Sequence, residues 1–227
     1  MALKGKGFMA VWHDIKTEGE AEYSLWHTRE HMPERVSTPG FLRGRRFVDW
    51  SLDKHRWYTL YEGAETETFS SDVYRAKLNS PTPWTTRMQP NFLNFVRSAC
   101  ETIATNGVGT GGAMATVRVH YKDGGADAFR AAAKALADNL LQLDGVTGVH
   151  IGWANPTVTR VKTKETELRA DTGEDIFDAV VHVEGVGRPE VTAVMKEVER
   201  QIAATGVVRL QEAAVYDLAY LLESEEL

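Results

Sequence analysis

The stretch Asn106-Gly107-Val108-Gly109-Thr110-Gly111-Gly112 places four glycines in seven residues and offers little side-chain matter to bury. That composition predicts a flexible connection. The same run of elements can be read on each side of it. Before it come a strand over Phe8–Ile15, a helix over Glu18–Ser37 that stops at Pro39-Gly40, and a strand over Phe41–Trp50. A turn at Asp53-Lys54 leads to a third strand, Arg56–Glu62, that pairs with the second as a hairpin. A helical region broken by Pro81 and Pro83 covers Glu65–Met88, and a fourth strand covers Phe92–Thr102. The order is βαββαβ.

After the glycines a second cycle begins. Ala113–Lys122 alternates as a strand, Ala126–Leu143 is an alanine-rich helix carrying Leu136, Leu140 and Leu143, and Val146–Trp153 is a strand. Asp175–Glu184 is the next strand, Pro189–Ala204 a helix with proline near its start, and Val207–Leu222 a long final strand. Local echoes support a duplication: His13 and His120 late in the two first strands, Pro39-Gly40-Phe41 matching Asp144-Gly145-Val146, and Glu62-Gly63 matching Glu184-Gly185. The expected organisation is an N-terminal half at 1–105, a linker at 106–112 and a C-terminal half at 113–227. The halves differ in two places. A polar, charge-rich insertion, Asn155–Gly173, is expected to be an extended hairpin or mobile flap in the second half, and an aromatic, histidine-dense helix belongs to the first.

The 227 residues carry 43% hydrophobic and 26% charged side chains, an ordinary globular balance, so the chain is expected to fold around a packed core. A net charge of −6 would oppose binding to a phosphate backbone, which argues against nucleic acid as a partner. No run approaches the ~20 apolar residues of a membrane-spanning helix, and Met1–Gly7 leads too soon into Trp12-His13 to resemble a secretion signal. With Cys100 as the single cysteine, an internal disulfide is ruled out. A cytoplasmic protein without membrane or nucleic-acid partners is the expectation.

The densest chemistry lies in Trp26-His27-Thr28-Arg29-Glu30-His31-Met32-Pro33-Glu34-Arg35, followed by Pro39-Gly40-Phe41-Leu42-Arg43-Gly44-Arg45-Arg46-Phe47. A tryptophan followed by a His-x-Pro segment, then Pro-Gly before an arginine-bearing strand, resembles the EthD-like branch of the dimeric α+β barrel superfamily. The likeness covers about 40 residues at the start of the first half. It implies an α+β protein of two ferredoxin-like βαββαβ halves, with antiparallel sheets, helices on their outer faces and a small-molecule pocket. Relatives in that superfamily include polyketide cyclases and decarboxylases, lactone isomerases, cofactor-free monooxygenases, haem peroxidases and plain binding proteins.

His27 and His31, at i and i+4, share one helical face with Tyr23 and Glu34 nearby. One imidazole would serve as general acid or base, with Glu30 or Glu34 fixing its tautomer. The spacing also suits two metal ligands, although no third is apparent. Against this stands a plainer alternative: Leu25, Met32 and Val36 form the clearer apolar stripe, and the histidines would then face solvent or a subunit contact. Arg43, Arg45 and Arg46 straddle both faces of their strand, so an inward arginine would meet a substrate anion or a structural carboxylate. Tyr58 and Tyr61 face opposite ways on the paired strand. His13 shares a face with Met9 and Val11 as a pocket or core residue, whereas His120, His150 and His182 read mainly as structural. The glycine stretch lacks the Lys-Ser or Lys-Thr and the following helix of a nucleotide loop, and no Gly-x-Ser-x-Gly elbow occurs.

These residues lead to an expected small-molecule enzyme of lyase, cyclase or isomerase type, acting by proton transfer on an aromatic, polyketide-like or carbonyl-containing substrate without nucleotide cofactor. His31 would move the proton, His27 tune it, and Arg46 or Arg45 stabilise the oxyanion, while His13, Trp12, Trp26, Tyr58 and Tyr61 would contact substrate. A cofactor-independent monooxygenase with Trp12, Trp26 and Trp57 lining its pocket is one alternative. A non-catalytic binding or stress-response protein is another, and haem or a metal ion at the histidines a further one. The two halves are expected to pair within the chain as a pseudo-dimer or between chains as a homodimer.

Overall fold

Strand-forming residues start each half, an apolar run over Phe8–Trp12 in the first and alternating apolar and polar residues from Ala115 in the second. The computed structural model describes residues 2–159, 161–169 and 176–227, without the side chain of Thr159. The first half runs β1 (Gly7–Ile15), α1 (Glu20–Trp26), α2 (Met32–Val36), β2 (Phe41–Val48), β3 (Trp57–Gly63), α3 (Asp72–Leu78), α4 (Pro83–Met88) and β4 (Phe92–Gly107). The second runs β5 (Ala113–Tyr121), α5 (Gly125–Leu140), β6 (Val146–Asn155), α6 (Pro156–Thr159), α7 (Lys164–Glu167), β7 (Ala179–Gly185), α8 (Arg188–Ala204) and β8 (Val208–Glu223). Two ferredoxin-like βαββαβ halves with antiparallel pairing make this an α+β protein of the dimeric α+β barrel class. No described helix is long and apolar enough to cross a membrane.

Several expected boundaries shift. β4 continues to Gly107, so Asn106 and Gly107 lie in a strand. Gly111 N donates to Glu184 at 3.0 Å, which ties the remaining connection down. Pro83 opens α4 instead of breaking it, because the first turn of a helix needs no N–H there. The described part of the insertion after β6 is not a hairpin but the two short helices α6 and α7; Arg160 and residues 170–175 lie outside the described residues, among them the expected strand start at Asp175. Two compact units result. One comprises Met1–Lys4, Cys100–Asn155 and Phe177–Leu218, and the other Gly5–Ala99, Pro156–Ile176 and Ala219–Leu227. Their limits differ from the sequential halves because the 16-residue strands β4 and β8 each contribute to both and the insertion joins the unit of the first half.

The duplication is written in the registers. β3 pairs antiparallel with β1 and β2, and β7 with β5 and β6. Gly7 faces Gly63 as Ala113 faces Gly185, and each second strand carries a bulge in its second or third residue, between Phe41 and Arg43 and between Val146 and Gly148. The turn glycines before those strands, Gly40 and Gly145, have φ of +91° and +78°, a region that residues with a Cβ rarely enter. One echo does not survive: Trp57 faces His13, and its counterpart Ala179 faces Val119, so His120 answers to Asp14 instead.

Within the unit built around β5–β7, α5 and α8 cover one sheet face. Ala115, Val117, Val119, Val181 and Val183 on that face pack with Phe129, Leu140, Val198 and Ile202. Burial of each large side chain contributes about 1.5–3 kcal/mol. In the other unit the matching sheet positions are Met9, Val11, His13, Thr59 and Tyr61, where polar and aromatic groups replace alanine and valine.

Candidate functional site

Those positions line a cleft. Met9 pairs with Tyr61 and Val11 with Thr59 across the β1–β3 ladder, so all four project from one sheet face together with His13. The helical segment above them delivers His27, His31 and Arg35, and Gln89, Glu165 and Arg169 complete a cleft enclosing about 460 Å³ of space free of atoms, including its open mouth.

The histidine helix is not continuous. A π-helical turn spans His27–His31, and Met32 N–H bonds to His27 O, five residues back. Pro33 follows, which lacks an N–H and would crowd the carbonyl four residues earlier in a regular α-helix, so the widened turn accommodates it. The extra residue rotates the segment before it. Leu25 is therefore 41% exposed, while Tyr23, Trp26, His27, Met32 and Val36 are buried. The expected Leu25–Met32–Val36 stripe fails for this reason, and both histidines face the cleft instead of solvent or a subunit contact.

The His27 and His31 rings lie 5.4 Å apart, and His31 packs against Trp26 at 4.3 Å. His13 Nε2 shares a 3.0 Å hydrogen bond with the Tyr23 hydroxyl. Nδ1 of His13, His27 and His31 and the Tyr61 hydroxyl are buried without a hydrogen-bond partner in the protein. Burial disfavours the charged imidazolium. It pushes His13 down to about 3 and His27 and His31 well below the usual histidine range, with Arg46 adding to the effect at His27 and Arg35 at His31. The same desolvation raises the Tyr61 phenol. Three neutral imidazoles and a protonated phenol thus line one cavity. They are able to accept or donate a proton to a ligand that enters.

A polar chain closes one side of the cleft. Arg35 NH2 pairs with Glu165 Oε1, both residues being buried. Gln89 Nε2 donates to Glu165 Oε2 at 3.2 Å, and Arg169 Nε donates to Gln89 Oε1 at 2.7 Å. The Arg169 guanidinium lies 3.9 Å from the Phe95 ring centroid, a cation–π contact.

Of the residues singled out from sequence, His13, His27, His31 and Tyr61 come together here. Arg46 and Trp26 stand one layer behind. Arg46 donates to Ser24 O and Thr28 Oγ1 and stacks near Tyr23, Trp57 and Tyr220, and Trp26 Nε1 donates to Glu30. Trp12, Tyr58 and Arg45 fall on the opposite sheet face, because strand neighbours alternate. Trp12 packs on Tyr58 at 4.9 Å, and Arg45 is fully buried against Glu62 at 2.9 Å. Glu30 fixes no imidazole, as its carboxylate accepts from Trp26, Thr82 and Thr85. In the second half His150 takes the place of Arg45, meeting Glu184 at 3.0 Å, so the buried carboxylate is a shared structural device. Arg35, Gln89, Glu165 and Arg169 were not foreseen. Only Arg35 lies in the motif, and the insertion gives no sign in sequence that it reaches the histidines. Among the described residues no three His, Cys, Asp or Glu side chains are placed to hold a metal ion.

No protein-family model matches the chain, and no curated protein sequence does. Solved structures do resemble it. An anthrone oxidase-like protein shares 12% identity over 96% of this chain and 92% of its own, with a TM-score of 0.63. A protein of Fusobacterium nucleatum subsp. nucleatum whose name suggests a monooxygenase shares 12% over 97% and 96%, with a TM-score of 0.58. A chlorite dismutase of Candidatus Nitrospira defluvii, solved with cyanide, shares 8% over 94% and 90%, with a TM-score of 0.56. At these identities the likeness establishes the fold.

Proposed function

We propose that this protein is a small-molecule enzyme that removes a proton from a carbonyl-activated or phenolic aromatic substrate in the cleft of the first half. The observation that carries the reading is the placement of His27 and His31, their rings 5.4 Å apart with buried, unpartnered Nδ1 atoms, on a cavity whose counterpart in the second half is filled with valine and alanine. His31 accepts the proton, His27 hands it on, and the Tyr61 hydroxyl hydrogen-bonds the developing oxyanion. Arg35 lies beside them as a fixed positive charge. The reprotonated product belongs to lyase, cyclase or isomerase chemistry. The resemblance of the Trp26–Phe47 motif to the EthD-like branch supports this assignment. The proton transfer draws on side chains alone and needs no nucleotide, haem or metal; a Soret band in the purified protein would replace this reading with a haem one. The net charge of −6 supports a small molecule over nucleic acid as the partner.

A second reading, favoured by the names of the anthrone oxidase-like and monooxygenase-named structures, takes the same carbanion to dioxygen. There a CH2 group becomes a carbonyl, one oxygen atom entering the product and the other leaving as water. The test is deuterium exchange at the enolisable carbon of anthrone in heavy water under nitrogen, followed by NMR. Wild type should accelerate exchange and H27N/H31N should not. Oxygen consumption on admitting air then selects the oxidative branch, and exchange no faster than buffer sinks both.

A further inference from the structure

Two arginines on the cleft wall differ in their pairing. Arg35 is matched by Glu165, with Glu34 Oε2 a further 3.6 Å away. Arg169 forms no ion pair with a described residue; its contacts are the hydrogen bond to Gln89 and the faces of Phe95 and Phe92 at 3.9 and 5.9 Å. It lies near enough to His13 and His31 for its charge to disfavour protonating either, and burial together with Arg97 lowers its own pKa to about 9. A guanidinium on a cavity wall that lacks an ion pair is best satisfied by an anion, to which its planar fork offers two parallel donors.

From this arrangement we infer that the cleft selects organic acids over neutral ligands, the carboxylate of the ligand being held by Arg169. The inference rests on the proposed catalytic reading for the statement that such an acid is a substrate, but not for the statement that it binds. Arg169 is a specificity residue contributed by the insertion of the second half to the cleft of the first. Neutralising it also removes a charge that opposes proton uptake by His13 and His31.

The experiment compares 2-naphthoate with the neutral 2-naphthamide, titrated into the full-length protein and followed by tryptophan quenching and calorimetry. Naphthoate should bind at least about tenfold more tightly in wild type. R169Q should lose that preference while keeping its affinity for the amide, and R169K should keep part of it. Equal binding of the two probes by wild type, or naphthoate preference undiminished in R169Q, overturns the proposal; the wild-type comparison decides it even should R169Q not fold. Anion preference without proton exchange in the anthrone assay would sink the catalytic reading and leave this one standing. Exchange without anion preference would do the reverse.

Discussion

Acidification should weaken the histidine-bearing unit once pH falls below the ordinary histidine range, and His13 allows the size to be worked out. Its imidazole has an unfolded pKa near 6.5 and is held at about 3 in the folded protein. Between those values the unfolded chain binds a proton that the native protein refuses. Stability therefore falls as pH drops through this window and is flat above it. At pH 5, about 1.5 pH units below the unfolded value, His13 alone costs about 2 kcal/mol. His27 and His31 act in the same direction. Glu34 opposes them, since burial raises its carboxyl and acid relieves that cost, while the depressed Glu101, Asp138 and Glu197 act only below the ordinary carboxylate range.

The contribution of His13 is isolated by H13Q, which keeps a polar side chain but cannot titrate. At pH 7.5 the variant should be about 1 kcal/mol weaker than wild type through the lost Tyr23 bond. By pH 5 its relative position should improve by about 2 kcal/mol, overtaking wild type. Urea unfolding followed by tryptophan fluorescence reads this directly, because Trp12, Trp26, Trp50, Trp57 and Trp84 all lie in the unit that holds His13. A stability difference between the two proteins that stays constant from pH 7.5 to 5 would refute the reasoning, since it would mean that the ring is not desolvated.

Replacing Glu165 with alanine leaves Arg35 charged and buried, and should cost about 3–5 kcal/mol in urea unfolding; adding R35M should recover most of it. H31N is expected to lower turnover by roughly 10²–10⁴-fold in the proton-exchange assay while the circular dichroism spectrum stays unchanged. In G44A the new Cβ would meet Met32 Sδ at 2.1 Å, so a loss of about 1–3 kcal/mol is expected in thermal unfolding, relieved by M32A in the same chain. F129A, in the filled core of the other unit, should cost about 3–5 kcal/mol yet leave the affinity of the cleft for 2-naphthoate unaltered among molecules that remain folded.

The repeat is legible in the sequence because its markers are local. A turn that needs φ near +90° asks for Gly40 and again for Gly145, and alternation along β5 needs only neighbours two residues apart. The histidines at 27 and 31 were visible for the same reason. Their direction was not, since a helical wheel assumes one uniform pitch and the π turn ahead of Pro33 breaks it, exposing Leu25 and turning both rings inward. The three arginines of β2 show the same limit: the sequence says that they alternate, but which row faces the helices depends on a bulge at Phe41/Arg43 and on Glu62, 19 residues from Arg43, being there to receive the others.

Short-range rules of backbone geometry and side-chain spacing, acting within a few residues, determined the two βαββαβ cycles, the antiparallel hairpins and the concentration of titratable groups in the first half. Tertiary structure alone decided that Glu165 and Arg169, Glu165 lying 130 residues beyond the Arg35 it pairs with, complete the cleft, and that the matching face of the second half is solid core. Such contacts are fixed by packing and charge pairing across great lengths of chain, where periodicity carries no information about which partner will be met.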